Sequence, residues 1–189
     1  MTDCFALLGE PRRPWLEPDP LKEKFHKLGA AHHPDVATTD DVDFSAINAA
    51  YTTLLDPKTR IRHLLELEFP GALARNLQIP PGISELFETI ARDQRGITAF
   101  LQKRASLQTP LEIALLAPEK IQITAGLERL QKALVQKQEE LFAQLKSADA
   151  AWSRDKSDSV EALLEIYQSL SYVGKWLDGI SGVKFQVSN

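Results

Sequence analysis

The chain has 189 residues, 43% of them hydrophobic, enough for one domain or two small ones with a real core. Its 22 Lys and Arg stand against 26 Asp and Glu, so the basic excess by which a protein grips phosphate backbones is missing and nucleic acid is not an expected partner. A lone cysteine, Cys4, rules out an internal disulfide; the N-terminal MTDCFALLGEPRRPW lacks a signal-peptide layout, and no apolar run approaches the ~20 residues of a membrane span, so a reduced, cytoplasmic protein away from the membrane is expected.

Helix signals run along nearly the whole chain and no period-two strand stands out, which predicts an all-α fold. In DPLKEKFHKLGAAHH, Asp19 is placed to cap and Pro20 to open a helix whose inner face carries Leu21, Phe25, Leu28 and His32. His32 therefore reads as a partly buried core residue, and Lys24 as part of the solvated side. DFSAINAAYTTLL repeats Phe44, Ile47, Tyr51 and Leu54 at helical spacing, so the two helices are expected to pair antiparallel. Pro34 disfavours helix at His33 and ends the first of them, leaving His33, Pro34 and Asp35 at the tip between the two. Asp56 and Pro57 then open a short third helix with Ile61, Leu64 and Leu65 inward.

EFPGALARNLQIPPG, with two glycines and three prolines, has the composition of a linker, placed at 70–82. Past it, Ile83, Leu86, Phe87, Ile90, Ile97 and Leu101 share one helical arc with Ser84 as a candidate cap. A second helix opens around Pro118 and runs to Trp152 on a stripe of Leu127, Leu130, Leu134, Leu141 and Leu145. SRDKSDS breaks it, and VEALLEIYQSLSYVGKWLDGI is a last helix with a wide apolar arc. These three helices predict a bundle over 83–189.

Histidine beside a carboxylate raises metal binding and catalysis as alternatives. A zinc site from His26, His32 and His33 fails on geometry, because the i, i+6, i+7 spacing scatters the rings. An enzyme using His33 and Asp35 would need a nucleophile, a phosphate loop or a metal set, and none is present as a motif. No catalytic residue, metal or cofactor is expected.

The segments LKEKFHKLGAAHHPD and FSAINAAYTTLLDPKTR, in that order, resemble a J-domain, with its helix, His-Pro-Asp loop and INxAYxxLxDPxxR helix. The continuation RIRHLLEL is similar to the iron-sulfur co-chaperones of the HscB type, which carry a C-terminal three-helix bundle. The resemblance implies a J-domain hairpin with flanking short helices over 1–69, a linker, and a client-binding bundle over 83–189. It implies a co-chaperone that binds a DnaK/HscA-type ATPase and stimulates it through His33, Pro34 and Asp35, with Lys22, His26, Lys27 and Arg60 as basic contacts. It further implies a client, the iron-sulfur scaffold protein of the IscU type, held by Leu86, Phe87, Glu88 and Ile90 of ELFETI and by Tyr172; on spacing alone Leu86, Phe87 and Ile90 could equally be bundle core. A J-protein serving a different client is the alternative, since ARDQRG replaces the acidic run that follows in that family, and Val36 and Ala31 stand where it often has basic residues. The exposed parts of the bundle leave room for a homodimer.

Overall fold

Asp3 starts the first helix, its carboxylate accepting from the Phe5 and Ala6 amides at 3.0 and 3.2 Å and so satisfying two donors a helix start leaves open. The computed structural model describes residues 2–31, 44–74 and 79–188. In chain order these form α1 (Cys4–Leu7), α2 (Pro18–Ala31), α3 (Phe44–Leu55), α4 (Pro57–Glu68), a 3-10 turn at Ala72–Ala74, α5 (Pro81–Ser106), α6 (Pro110–Ala114), α7 (Ala117–Trp152), a second 3-10 turn at Ser157–Ser159, and α8 (Val160–Ser188). The described residues contain no strand, and the fold is all-α as the periodicity predicts. Contacts divide the chain into two compact units: Met1–Leu77 with Phe142–Tyr167, and Gln78–Leu141 with Gln168–Asn189. Residues 142–167 thus pack with the N-terminal third of the chain.

In the first unit α2 begins two residues earlier than predicted. Pro18 opens it, because a first helical position needs no amide donor, and Asp19 falls in the first turn instead of capping. Gly29 meets the Phe44 ring and the Phe25 ring stacks on Tyr51 at 4.2 Å, so α2 and α3 run antiparallel. Asp56 caps α4 through the Lys58 amide at 2.9 Å, with Pro57 behind it, and turns Ile61, Leu64 and Leu65 into a core shared with Phe5, Leu8, Leu21, Ile47 and Leu54. From the later stretch come buried Leu145, Trp152, Leu163 and Leu164. Trp152 donates its indole N–H to the Arg12 carbonyl at 2.9 Å and lies edge-on to Phe69 at 6.0 Å. Buried Asp149 accepts from the Trp15 amide and from Arg13 Nε, both at 3.0 Å, and forms a second bond to Arg13 Nη2, so its charge is fully partnered.

The second unit is built on α5, the first part of α7 and the later part of α8. α5 starts at Pro81 with Pro80 in the cap position and no side-chain cap, so Ser84 lies inside the helix and not at its start. Ile83, Ile90, Ile97 and Phe100 are its buried residues, and Leu101, placed on the arc by spacing, is half-buried. Leu127, Leu130, Leu134 and Leu141 of α7 are buried as expected, as are Leu170, Val173, Ile180 and Val187 of α8. Lys103 pairs with Glu119 at 2.8 Å, which sets α5 and α7 antiparallel.

Candidate functional site

Lys22, His26 and Lys27 are exposed on the outer face of α2, opposite buried Leu21. Lys22 and His26 lie one turn apart on that face. His32, His33, Pro34, Asp35 and Val36 lie outside the described residues. Lys24 is not a free solvated charge: half-buried, it pairs with Glu10 at 2.8 Å and donates to the Gly9 carbonyl at 2.9 Å. That carbonyl ends a turn in which Gly9 takes a positive φ of 62°.

Arg60 departs from the expectation that it is a surface contact. It is 2% exposed, with Nε donating to the Pro14 carbonyl at 2.8 Å and Nη1 to the Leu54 carbonyl at 2.7 Å. Its guanidinium lies 5.6 Å from the Trp15 ring centroid. Burial lowers its pKa to about 10, against the opposing pull of Asp56 and Asp149. Arg60 therefore ties the segment before α2 to α4 and offers no face to a partner. Nearby, buried His63 accepts from the Cys4 amide at Nε2, 3.0 Å, and stacks on Phe5 at 5.8 Å. Burial holds the His63 pKa below its usual value, although Asp3 and Glu66 pull it up.

On the second unit α5 and α8 bring Phe87 and Tyr172 together, rings edge-on with centroids 5.3 Å apart. Trp176 completes a three-ring face at 4.9 Å from Phe87 and 5.7 Å from Tyr172. All three are half-buried, the condition of rings that both hold a surface together and can be touched. Trp176 is a residue that sequence reasoning missed, yet its position one turn after Tyr172 places it on the same face. Leu86 is half-buried and Glu88 exposed at the edge of this face, whereas Ile90 is buried and supports it from below. Beside Trp176 lies a recess of about 340 Å³ with an apolar floor of Ile90, Ile97, Leu127, Leu130 and Ile180 and with Asp93, Gln94 and Lys175 also in its lining. Arg92 and Arg95 are exposed on the following turn of α5. Among the described residues no three His, Cys, Asp or Glu gather as a metal-holding group, and no helix is long and apolar enough to cross a membrane.

A helical hairpin with short flanking helices, followed by three long helices, is the fold of the HscB-type J-domain co-chaperones, and this chain has that fold. It is similar to the chaperone HscB from Vibrio cholerae, with a TM-score of 0.60 and 19% identity over 98% of this chain and 99% of that one. It is similar also to the human co-chaperone HscB, with a TM-score of 0.56 and 20% identity over 97% of this chain and 83% of that one. In sequence, a 47-residue stretch, 25% of the chain, is 40% identical to the J-type co-chaperone JAC1, mitochondrial, of Saccharomyces cerevisiae. The match spans about a quarter, 26%, of the length of that relative. No family model matches the chain.

Proposed function

We propose that the protein is a J-type co-chaperone of the HscB kind, which engages a DnaK/HscA-type ATPase in the cytoplasm, stimulates its hydrolysis of ATP and delivers to it an iron-sulfur scaffold protein of the IscU type. The observation that carries the reading is the 40% identity to a J-type co-chaperone within a chain that has the HscB fold from end to end. In this reading residues 1–69 are the J-domain, 70–82 the linker and 83–189 the client-binding part. His33, Pro34 and Asp35 contact the ATPase, and Lys22, His26 and Lys27 steer the encounter by their charge toward an acidic groove. Phe87, Tyr172 and Trp176 form the centre of the client face, with Leu86 and Glu88 at its edge and Ile90 beneath.

A second reading, a J-protein for a different client, is favoured by one observation. Arg92 and Arg95 are exposed in the turns of α5 that follow Phe87 in sequence, the stretch in which the resemblance leads one to look for carboxylates. A client with an acidic border would meet them more favourably than one with a basic border.

Single-turnover ATP hydrolysis by a DnaK-type chaperone tests both. The protein is expected to raise the rate, and His33→Gln to abolish the increase while leaving the melting temperature unchanged. Added scaffold protein should raise it further, and Trp176→Ala should remove only that increment. No stimulation by the wild type refutes the co-chaperone reading; stimulation indifferent to the scaffold leaves the second reading standing.

A further inference from the structure

Three glycines stand inside the helices of the second unit where packing does not call for them. A Cβ added at Gly96 of α5, Gly126 of α7 or Gly179 of α8 would meet nothing within 4 Å. Glycine weakens a helix interior, so each position gives up stability and leaves room beside the backbone. That room belongs to two recesses. Gly96 and Gly126 line one of about 210 Å³, together with Arg92, Asp93 and Arg129. Gly179 lines the recess of about 340 Å³ beside Trp176. Asp93, Ile97 and Leu127 line both, so the two recesses adjoin. Alone, the first is smaller than the ~300 Å³ at which ligand pockets begin, whereas the two joined fall within the usual range.

Their chemistry differs from one end to the other. The larger recess has a floor of buried aliphatic side chains and the flank of Trp176, a lining that favours an apolar occupant over water. The smaller carries the guanidinium groups of Arg92 and Arg129, and Lys175 stands in the lining of the larger. Among the described residues none of these three cations pairs with a carboxylate, although Asp93 lies in both linings; Arg92 makes one long bond, 3.4 Å, to the Thr89 hydroxyl. Three bases against one acid leave the joined site with an excess of positive charge. Guanidinium groups on α5 and α7 supply forked donors that match a carboxylate or phosphate.

We propose that the joined recesses bind one small amphiphilic anion, an aliphatic chain that ends in a carboxylate or phosphate. Its head lies between Arg92 and Arg129, and its chain lies against Ile90, Leu130, Ile180 and Trp176. Width selects such a chain: packed helices have axes ~8–10 Å apart, whereas a helix with its side chains is ~10–12 Å across. An unbranched chain enters between α5 and α8 where a partner's helix does not. Asp93 repels the head and keeps the affinity moderate, because a like charge nearby disfavours a second one. The assignment goes beyond the co-chaperone reading and does not depend on it.

Equilibrium dialysis of the full chain against radiolabelled decanoate, kept below its micelle concentration, decides the matter. Binding is expected to saturate at one decanoate per chain. Decan-1-ol keeps the chain but loses the charge-assisted bonds, and should bind about tenfold more weakly or worse. Acetate, the head alone, should not bind. Arg92→Gln combined with Arg129→Gln should bring decanoate down to the level of decan-1-ol and leave decan-1-ol unchanged, whereas Asp93→Asn should tighten decanoate. Gly179→Leu, at a position with room for a side chain, should abolish binding of both with unchanged circular dichroism. Decyl phosphate binding in place of decanoate supports the same site and fixes the head as phosphate. Failure of both to saturate overturns the proposal. So does decyltrimethylammonium bound as tightly as decanoate, which would reveal only an apolar surface, or a double arginine variant that holds decanoate as the wild type does.

Discussion

Arg60 carries a charge into the interior of the first unit, and what keeps it there is two backbone carbonyls and a ring, with no carboxylate bonded to it among the described residues. One nitrogen, Nη2, is buried without a hydrogen-bond partner among the described residues, so the site is held at a cost that burial of the rest must offset. Arg60→Met keeps the length and removes the donors, leaving the Pro14 and Leu54 carbonyls unpaired. The expected loss is about 3 kcal/mol, at ~1–3 kcal/mol for each buried unsatisfied group, read by urea unfolding, with chaperone stimulation unchanged wherever the variant is folded. His63 makes the first unit sensitive to pH. Its folded pKa lies below the unfolded value of about 6.5, so between the two the unfolded chain holds more protons and stability rises with pH. The melting temperature is therefore expected to fall as pH drops from about 7 through the folded pKa, where protonation removes the acceptor for the Cys4 amide. His63→Gln, which retains an acceptor, should flatten that slope, and a parallel slope in the variant would assign it elsewhere.

At the scale of the helices, local chemistry decides where each begins. Asp56 before Pro57 reads as a cap and acts as one, and Asp56→Ala should cost about 1 kcal/mol, the usual worth of such a cap, measurable as a lowered denaturation midpoint. Asp19 and Ser84 have cap chemistry too, but Pro18 and Pro81 begin their helices earlier, since a proline at the first position needs no capped amide. The α7 leucines were legible because burial there follows a single period; Phe100 was not, because its neighbour Leu101 fits the same arc almost as well. The candidate surfaces divide in the same way. Lys22, His26 and Lys27 are exposed, as an amphipathic reading predicts. Arg60 has the same pattern on α4, and its burial depends on Pro14 and Trp15, from a segment with no periodicity to read. Phe87 and Tyr172 meet across a long sequence separation that only the resemblance could bridge.

For the whole molecule, the first unit is discontinuous in sequence. Its N-terminal 77 residues close against 142–167, which bring Leu145, Asp149, Trp152, Leu163 and Leu164. A chain truncated to residues 1–77 loses those covers and strands Arg13 and the Trp15 amide, so it is expected to unfold at distinctly lower urea than the first transition of the full chain, with faster amide hydrogen exchange in α4. Equal stability of the fragment would mean that the later stretch adds nothing. Discontinuity also has a consequence in time. The 64 residues from 78 to 141 must be made between the two parts of the unit. At a synthesis rate of ~5–20 residues per second that interval is about 3–13 s. During it the apolar surface that Trp152 will close against Phe69 stands open to water as the nascent chain leaves the ribosome. For those seconds a protein that reads as a chaperone's assistant is itself what chaperones hold.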